Sequence, residues 1–238
     1  MRVRRPLRFP VAPRFLPRFG PGLLPAVAVI AGLTACGTVD PADNAPATEL
    51  VGEPDGFTPT SDGAALEFDE PANVVTTNFD TGAPVYWEVT VHAPETLSLA
   101  DVKENLGRDP QSIGTASPER IRNFSCFPVT FTVLGDGLGR SDAPVSVALP
   151  TLTPVDDYGT DANFVGIGDE HYCGVERSEA VPAYTGDMKV GESYTTAVVT
   201  WQGQRDPGIV GTGVRLNTLL SPRNPAQPAQ AITWSEGD

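Results

Sequence analysis

Three cysteines and two histidines are the side chains in this 238-residue sequence best suited to metal, redox or nucleophilic chemistry: Cys36, Cys126, Cys173, His92 and His171. A hydrolytic triad needs a hydroxyl, a histidine and a carboxylate that meet in space, so spacing alone cannot deny one. No Gly-x-Ser-x-Gly elbow occurs, however, and His92 falls on the polar side of an alternating strand, where solvation is the simpler role. His171 stands two residues before Cys173, and once Cys126 and Cys173 pair as a disulfide too few ligands remain for zinc. These residues therefore assign no catalytic group, no metal site and no cofactor. The chain is not expected to be an enzyme.

Two further constellations carry possible chemistry. The loop Asp156-Asp157-Tyr158-Gly159-Thr160-Asp161, continuing to Asp169 and Glu170, gathers the carboxylates and carbonyls that calcium prefers. Laid on the calcium-binding helix-loop-helix template from Asp161, the fifth position is Val165 and the twelfth Tyr172, so the template fails. A solvated turn in a very acidic chain is the plainer reading of residues 156–170, with calcium left open. Trp87, Trp201 and Trp234 could make an aromatic platform, but Trp87 and Trp201 share strand faces with valines, which favours core packing.

Cys36 is set apart by what precedes it. Residues 1–35 hold six arginines and no acid, and they end in a 17-residue uncharged stretch, Phe19 to Ala35. That is the form of an export signal, too short and too broken by Pro21, Gly22 and Pro25 for a good spanning helix. Its end, Leu33-Thr34-Ala35-Cys36-Gly37, resembles the lipobox of bacterial lipoproteins. The resemblance implies cleavage before Cys36 and a diacylglyceryl group on its sulfur. A second acyl chain turns marginal membrane binding into a stable anchor. Arginine outnumbers lysine fourteen to two, a bias that suits a GC-rich, actinobacterial source.

Removing residues 1–35 changes the charge. The whole chain is at −14, but the part from Cys36 onward keeps ten bases against thirty acids and so stands near −20. Nucleic acid and anionic headgroups would be repelled as direct partners. Residues 36–63 follow as an acidic tether with six acids, no base and four prolines, expected to be disordered and to hold the domain clear of the membrane.

From residue 64 to 238 apolar residues alternate between closely spaced turns, which predicts strands. The clearest are Val85–Val91, Val129–Val133, Val145–Leu149 and Ser193–Trp201, with Ala231–Trp234 as a last edge strand. In the first, Val85, Trp87, Val89 and Val91 face a core while Tyr86, Glu88, Thr90 and His92 face water. A glycine-rich turn before Val145 suits a hairpin with the strand ending at Val133. One helix is expected at Ser98–Leu106, capped by Ser98 with Asp101 at its third position. Short strands without a long helix argue an all-β, two-sheet antiparallel β-sandwich. Pro182 to Trp201, with Leu152 to Gly159 upstream, resembles the immunoglobulin-like domain of uncharacterised bacterial surface lipoproteins. That resemblance implies a fold and an address but no active site.

With Cys36 lipidated, Cys126 and Cys173 remain as one pair for a disulfide in an oxidising compartment. No tryptophan lies between them, unlike the immunoglobulin pattern. The expectation is a monomeric lipoprotein at the cell membrane, on the extracytoplasmic face, binding an envelope protein or ligand through its loops. A solute-binding lipoprotein of a transporter and an envelope hydrolase are the alternatives.

Overall fold

The computed structural model describes residues 52–78, 81–110, 117–137, 145–166, 170–219 and 229–237, all within the unit Ala47–Asp238. Residues 1–51, which include the expected export segment and Cys36, and residues 138–144 of the glycine-rich turn lie outside these residues.

Alternating sequence becomes strand wherever both backbone edges find partners. The strands are β1 (Ala64–Glu67), β2 (Pro71–Thr77), β3 (Pro84–Val91), β4 (Glu95–Leu97), β5 (Ile121–Asp136), β6 (Thr151–Val155), β7 (Ser193–Gly203), β8 (Gly213–Asn217) and β9 (Ala231–Ser235). A helix, α1 (Leu99–Leu106), lies between β4 and β5. A four-stranded sheet runs β1-β9-β8-β6, and a five-stranded sheet is built on β5, which carries β3 and then β4 along its length as well as β7, with β2 outside β3. The two sheets pack together as an all-β sandwich. Its core joins Trp87, Val89 and Phe131 of the larger sheet to Val214, Leu216, Ile232 and Trp234 of the smaller. Trp87 meets Phe131 edge-on at 5.5 Å, and its indole N–H donates to Thr76 Oγ1 at 2.8 Å.

Long β5 explains how a second cluster arises. Its odd positions Phe127, Val129, Phe131 and Val133 face the inter-sheet core, whereas Phe124 and Cys126 project from the opposite face. There they pack under Val102 of α1, Tyr172 and Val199. Period-two alternation thus persists through residues 126 and 127, with both faces buried.

Four expectations are corrected. Val145–Leu149 makes a single bridge, Ser146 to Tyr184, instead of a hairpin ladder with β5. The β3 and β7 ladders already occupy that end of β5, and side chains satisfy the carbonyls of the segment: Asn78 Nδ2 donates to Ser146 O and Thr76 Oγ1 to Ala148 O, both at 2.7 Å. Trp234 lies on an interior strand, because β1 pairs with β9 in parallel, an exception to the antiparallel rule of the other ladders. Tyr86 is fully buried where water was expected, since Phe57 packs edge-on against its ring at 5.0 Å. Residues 52–63, assigned to the tether, are pinned to the sandwich. Thr60 N–H donates to Asn73 O at 2.9 Å, Gln230 Nε2 to Thr60 O at 2.7 Å and Ala231 N–H to Asp62 Oδ1 at 2.8 Å. Close approach is built in: a Cβ on Gly135 would stand 2.6 Å from Gly52 O.

Candidate binding cleft beside the disulfide

Local sequence forms α1 before packing places it. Ser98 and Asp101 make a reciprocal capping box, with Asp101 N–H donating to Ser98 Oγ at 3.2 Å and Ser98 N–H to Asp101 Oδ2 at 2.7 Å. The Ser98 hydrogen bonds hold the Asp101 carboxyl below its ordinary value. Gly107, at φ 62°, ends the helix in the left-handed region and turns the chain toward Arg108. Val102 is fully buried in the second cluster and fixes the helix to β5.

Opposite the end of α1 stands a short turn of 3-10 helix, Glu170–Cys173. Cys173 is joined to Cys126 of β5, sulfur to sulfur at 2.08 Å with Cα atoms 5.7 Å apart. Asn105 Nδ2 donates to Tyr172 O at 2.9 Å and ties helix to turn. Gly174 has φ 77°, and a Cβ there would also crowd the Asn105 amide at 3.3 Å.

Between helix end and turn opens a cleft of about 470 Å3 whose polar lining is Asn105, Arg108, His171, Glu176 and Arg177. His171 Nδ1 lies 2.8 Å from Val175 O. A carbonyl only accepts, so Nδ1 donates here and Nε2 is the ring's remaining polar atom. Among the described residues neither Arg108 nor Arg177 makes an ion pair, whereas Lys103 nearby is bonded to Asp109 at 2.7 Å, which holds its ammonium pKa up. The cleft is thus lined by two arginines without ion pairs among the described residues, one histidine and one glutamate. Such a set grips an oxyanion, and no lining residue offers a nucleophilic hydroxyl or thiol.

His92 is elsewhere and is not merely solvated. Its Nδ1 is 2.5 Å from Asp69 Oδ1 and its Nε2 is 2.9 Å from Thr130 Oγ1. Asp69 adopts φ 69°, a left-handed conformation that aspartate tolerates better than most residues. Carboxylate, imidazole and hydroxyl stand in the order of a nucleophile relay. Thr130 lies between Thr90 and Thr195 across the two ladders, on the sheet face, and none of the three relay residues lines the cleft. The arrangement crosslinks β3 and β5 to the turn before β2.

In the acidic loop each described aspartate has a local use. Asp156 Oδ1 accepts from the N–H groups of Tyr158 and Thr160, Asp157 accepts from the Thr212 hydroxyl, and Asp161 pairs with Arg215. Among the described residues no three His, Cys, Asp or Glu side chains converge on a metal position, and Asp169 lies outside them. The tryptophans share no platform: Trp87 and Trp234 are in the main core and Trp201 packs against the second cluster.

Sequence reasoning placed His171 beside the disulfide but missed Arg108 and Arg177. Their meeting depends on α1 docking against residues 170–177, which no spacing encodes. The available signal was scarcity, since only ten bases follow Cys36. Compared with protein-family models, curated proteins and solved structures, the chain matches none.

Proposed function

We propose that this chain is a lipid-anchored cell-envelope protein, exposed on the extracytoplasmic face, whose immunoglobulin-like sandwich binds a ligand or envelope partner without catalysing a reaction. The Cys126–Cys173 bond carries the reading. A structural disulfide persists in an oxidising compartment and is uncommon where thiols are kept reduced. It leaves Cys36 as the one remaining cysteine, directly behind an uncharged stretch and ahead of an acidic chain, where acylation would give a stable anchor. Binding rather than catalysis is supported by a cleft lined by two arginines and by no residue with a nucleophilic hydroxyl or thiol. The Asp69, His92 and Thr130 relay favours the hydrolase alternative over the transporter one, but it stands on a sheet face apart from that cleft.

The test is the mature N-terminus. Mass spectrometry is expected to find a diacylglyceryl-modified Cys36 as first residue, and Cys36→Ala is expected to move the protein from the detergent phase to the aqueous phase. An unmodified start at another residue overturns the anchor. Crosslinking in cells is expected to recover the same envelope partners with the wild-type and the released Cys36→Ala chain.

A further inference from the structure

We propose that the cleft between the end of α1 and the disulfide turn binds a small phosphomonoester, its phosphate held by Arg108 and Arg177. The inference rests on the binding role proposed above and names the ligand class of that site. The chain from Cys36 onward carries three carboxylates for every base, and Arg215 is the one arginine among the described residues in an ion pair; Arg108 and Arg177, unpaired like Arg120, Arg122 and Arg205, are the two that line one cleft together. Glu176 lines the same space and neutralises neither. Two guanidinium groups ask for a doubly charged, multidentate acceptor. A phosphomonoester offers close to two negative charges and three acceptor oxygens, whereas a monocarboxylate would match only one arginine.

Volume and the remaining lining extend the argument to an organic tail. The cleft, about 470 Å3, lies within the range of small-molecule sites and exceeds what a bare phosphate fills. Leu106 and Val175 give it an apolar wall. His171, with Nδ1 committed to Val175 O, retains Nε2 for a hydrogen bond with a ligand hydroxyl. The negative field of the rest of the domain is screened beyond about 8 Å at physiological ionic strength, so it slows arrival more than it weakens the bound state.

Calorimetric titration of the full chain in detergent micelles tests this with sn-glycerol 3-phosphate, inorganic phosphate and glycerol. Both phosphates are expected to bind, glycerol 3-phosphate more tightly, and glycerol not at all. Arg108→Gln and Arg177→Gln should each weaken binding about tenfold, the loss expected for a charge-assisted hydrogen bond. Arg205→Gln, at an exposed arginine outside the cleft, should leave it unchanged. No heat and no thermal stabilisation from either phosphate at millimolar concentration overturns the proposal. So does undiminished affinity in a folded double variant, judged by its melting temperature. Equal affinity for the two phosphates removes the organic tail. If both phosphates fail while crosslinking still captures an envelope partner, the ligand class alone is wrong and the binding role stands.

Discussion

Tyr86 shows how a single residue can defeat pattern reading. Alternation along β3 places it on the water-facing side with Glu88 and His92, yet it is fully buried beneath Phe57. Nothing near Tyr86 in sequence announces the cover, because residues 52–57 are too rich in glycine, proline and acid to read as packing. Burial, with the negative charge of Glu53 in support, pushes its phenol up to about 12 from the ordinary 10.0. A folded-state value above the unfolded one means that deprotonation favours unfolding. Stability is therefore complete below pH 10.0 and falls as pH rises toward about 12. Its hydroxyl also lacks a hydrogen-bond partner among the described residues. Tyr86→Phe is expected to raise stability by about 1 kcal/mol at neutral pH, by removing an unsatisfied buried group, and to flatten the alkaline decline. Denaturant titrations at neutral and alkaline pH check both parts; a destabilised variant would mean that an ordered water serves the hydroxyl.

At the scale of elements, readability follows the range of the signal. Helix α1 was foreseen to within a residue because its start is written locally, as Ser98 and Asp101 three apart, and its stop is Gly107. Strands β3, β5 and β7 were likewise foreseen in their central residues, since period-two alternation is local too. Val145–Leu149 failed because alternation states which face is apolar but not which edge is free, and the edges of β5 were already taken. Ser98→Ala should therefore cost about 1 kcal/mol, the usual worth of a helix N-cap. The Asp101 carboxyl sits below its ordinary 3.8 in the fold, so its share of that stability is present above 3.8 and is lost as pH falls through the lower folded value. Unfolding of wild type and variant should draw together in acid only by that share, because the Ser98 Oγ bond to the Asp101 N–H carries no charge and persists. An undiminished gap there would assign the cap's worth to that neutral side-chain bond alone.

The whole molecule was the least readable level. Two sheets follow from many short amphipathic strands, but the parallel β1–β9 ladder unites residues 64–67 with 232–235, and only the closed fold brings them together. The candidate site has the same character. Cys126 and Cys173 were paired by counting, whereas the cleft they support appears only when α1 and the turn at 170–173 meet over the outer face of β5.

That position puts the disulfide inside the second cluster, and its removal should loosen that cluster before the main core. Closing a loop whose ends are 47 positions apart stabilises the fold by about 4 kcal/mol in the chain-entropy model. Cys126→Ala with Cys173→Ala should lose about that much in global unfolding, measured by denaturant. The loss should not be even in the native state. The core around Trp87, Phe131 and Trp234 is closed by ladders and ring contacts that do not involve either cysteine. The second cluster rests on Val102, Phe124 and Tyr172, with the bridge and the Asn105 bond as the ties that fasten the turn. Hydrogen exchange should therefore rise first in residues 99–106 and 170–177, with amides of β3 and β5 protected up to the global limit. Phosphate affinity should fall with it, because Arg177 and His171 would no longer be held against Arg108. Equal acceleration throughout the sandwich would contradict this, and would make the bridge part of one cooperative core instead of the hinge-pin of a cleft.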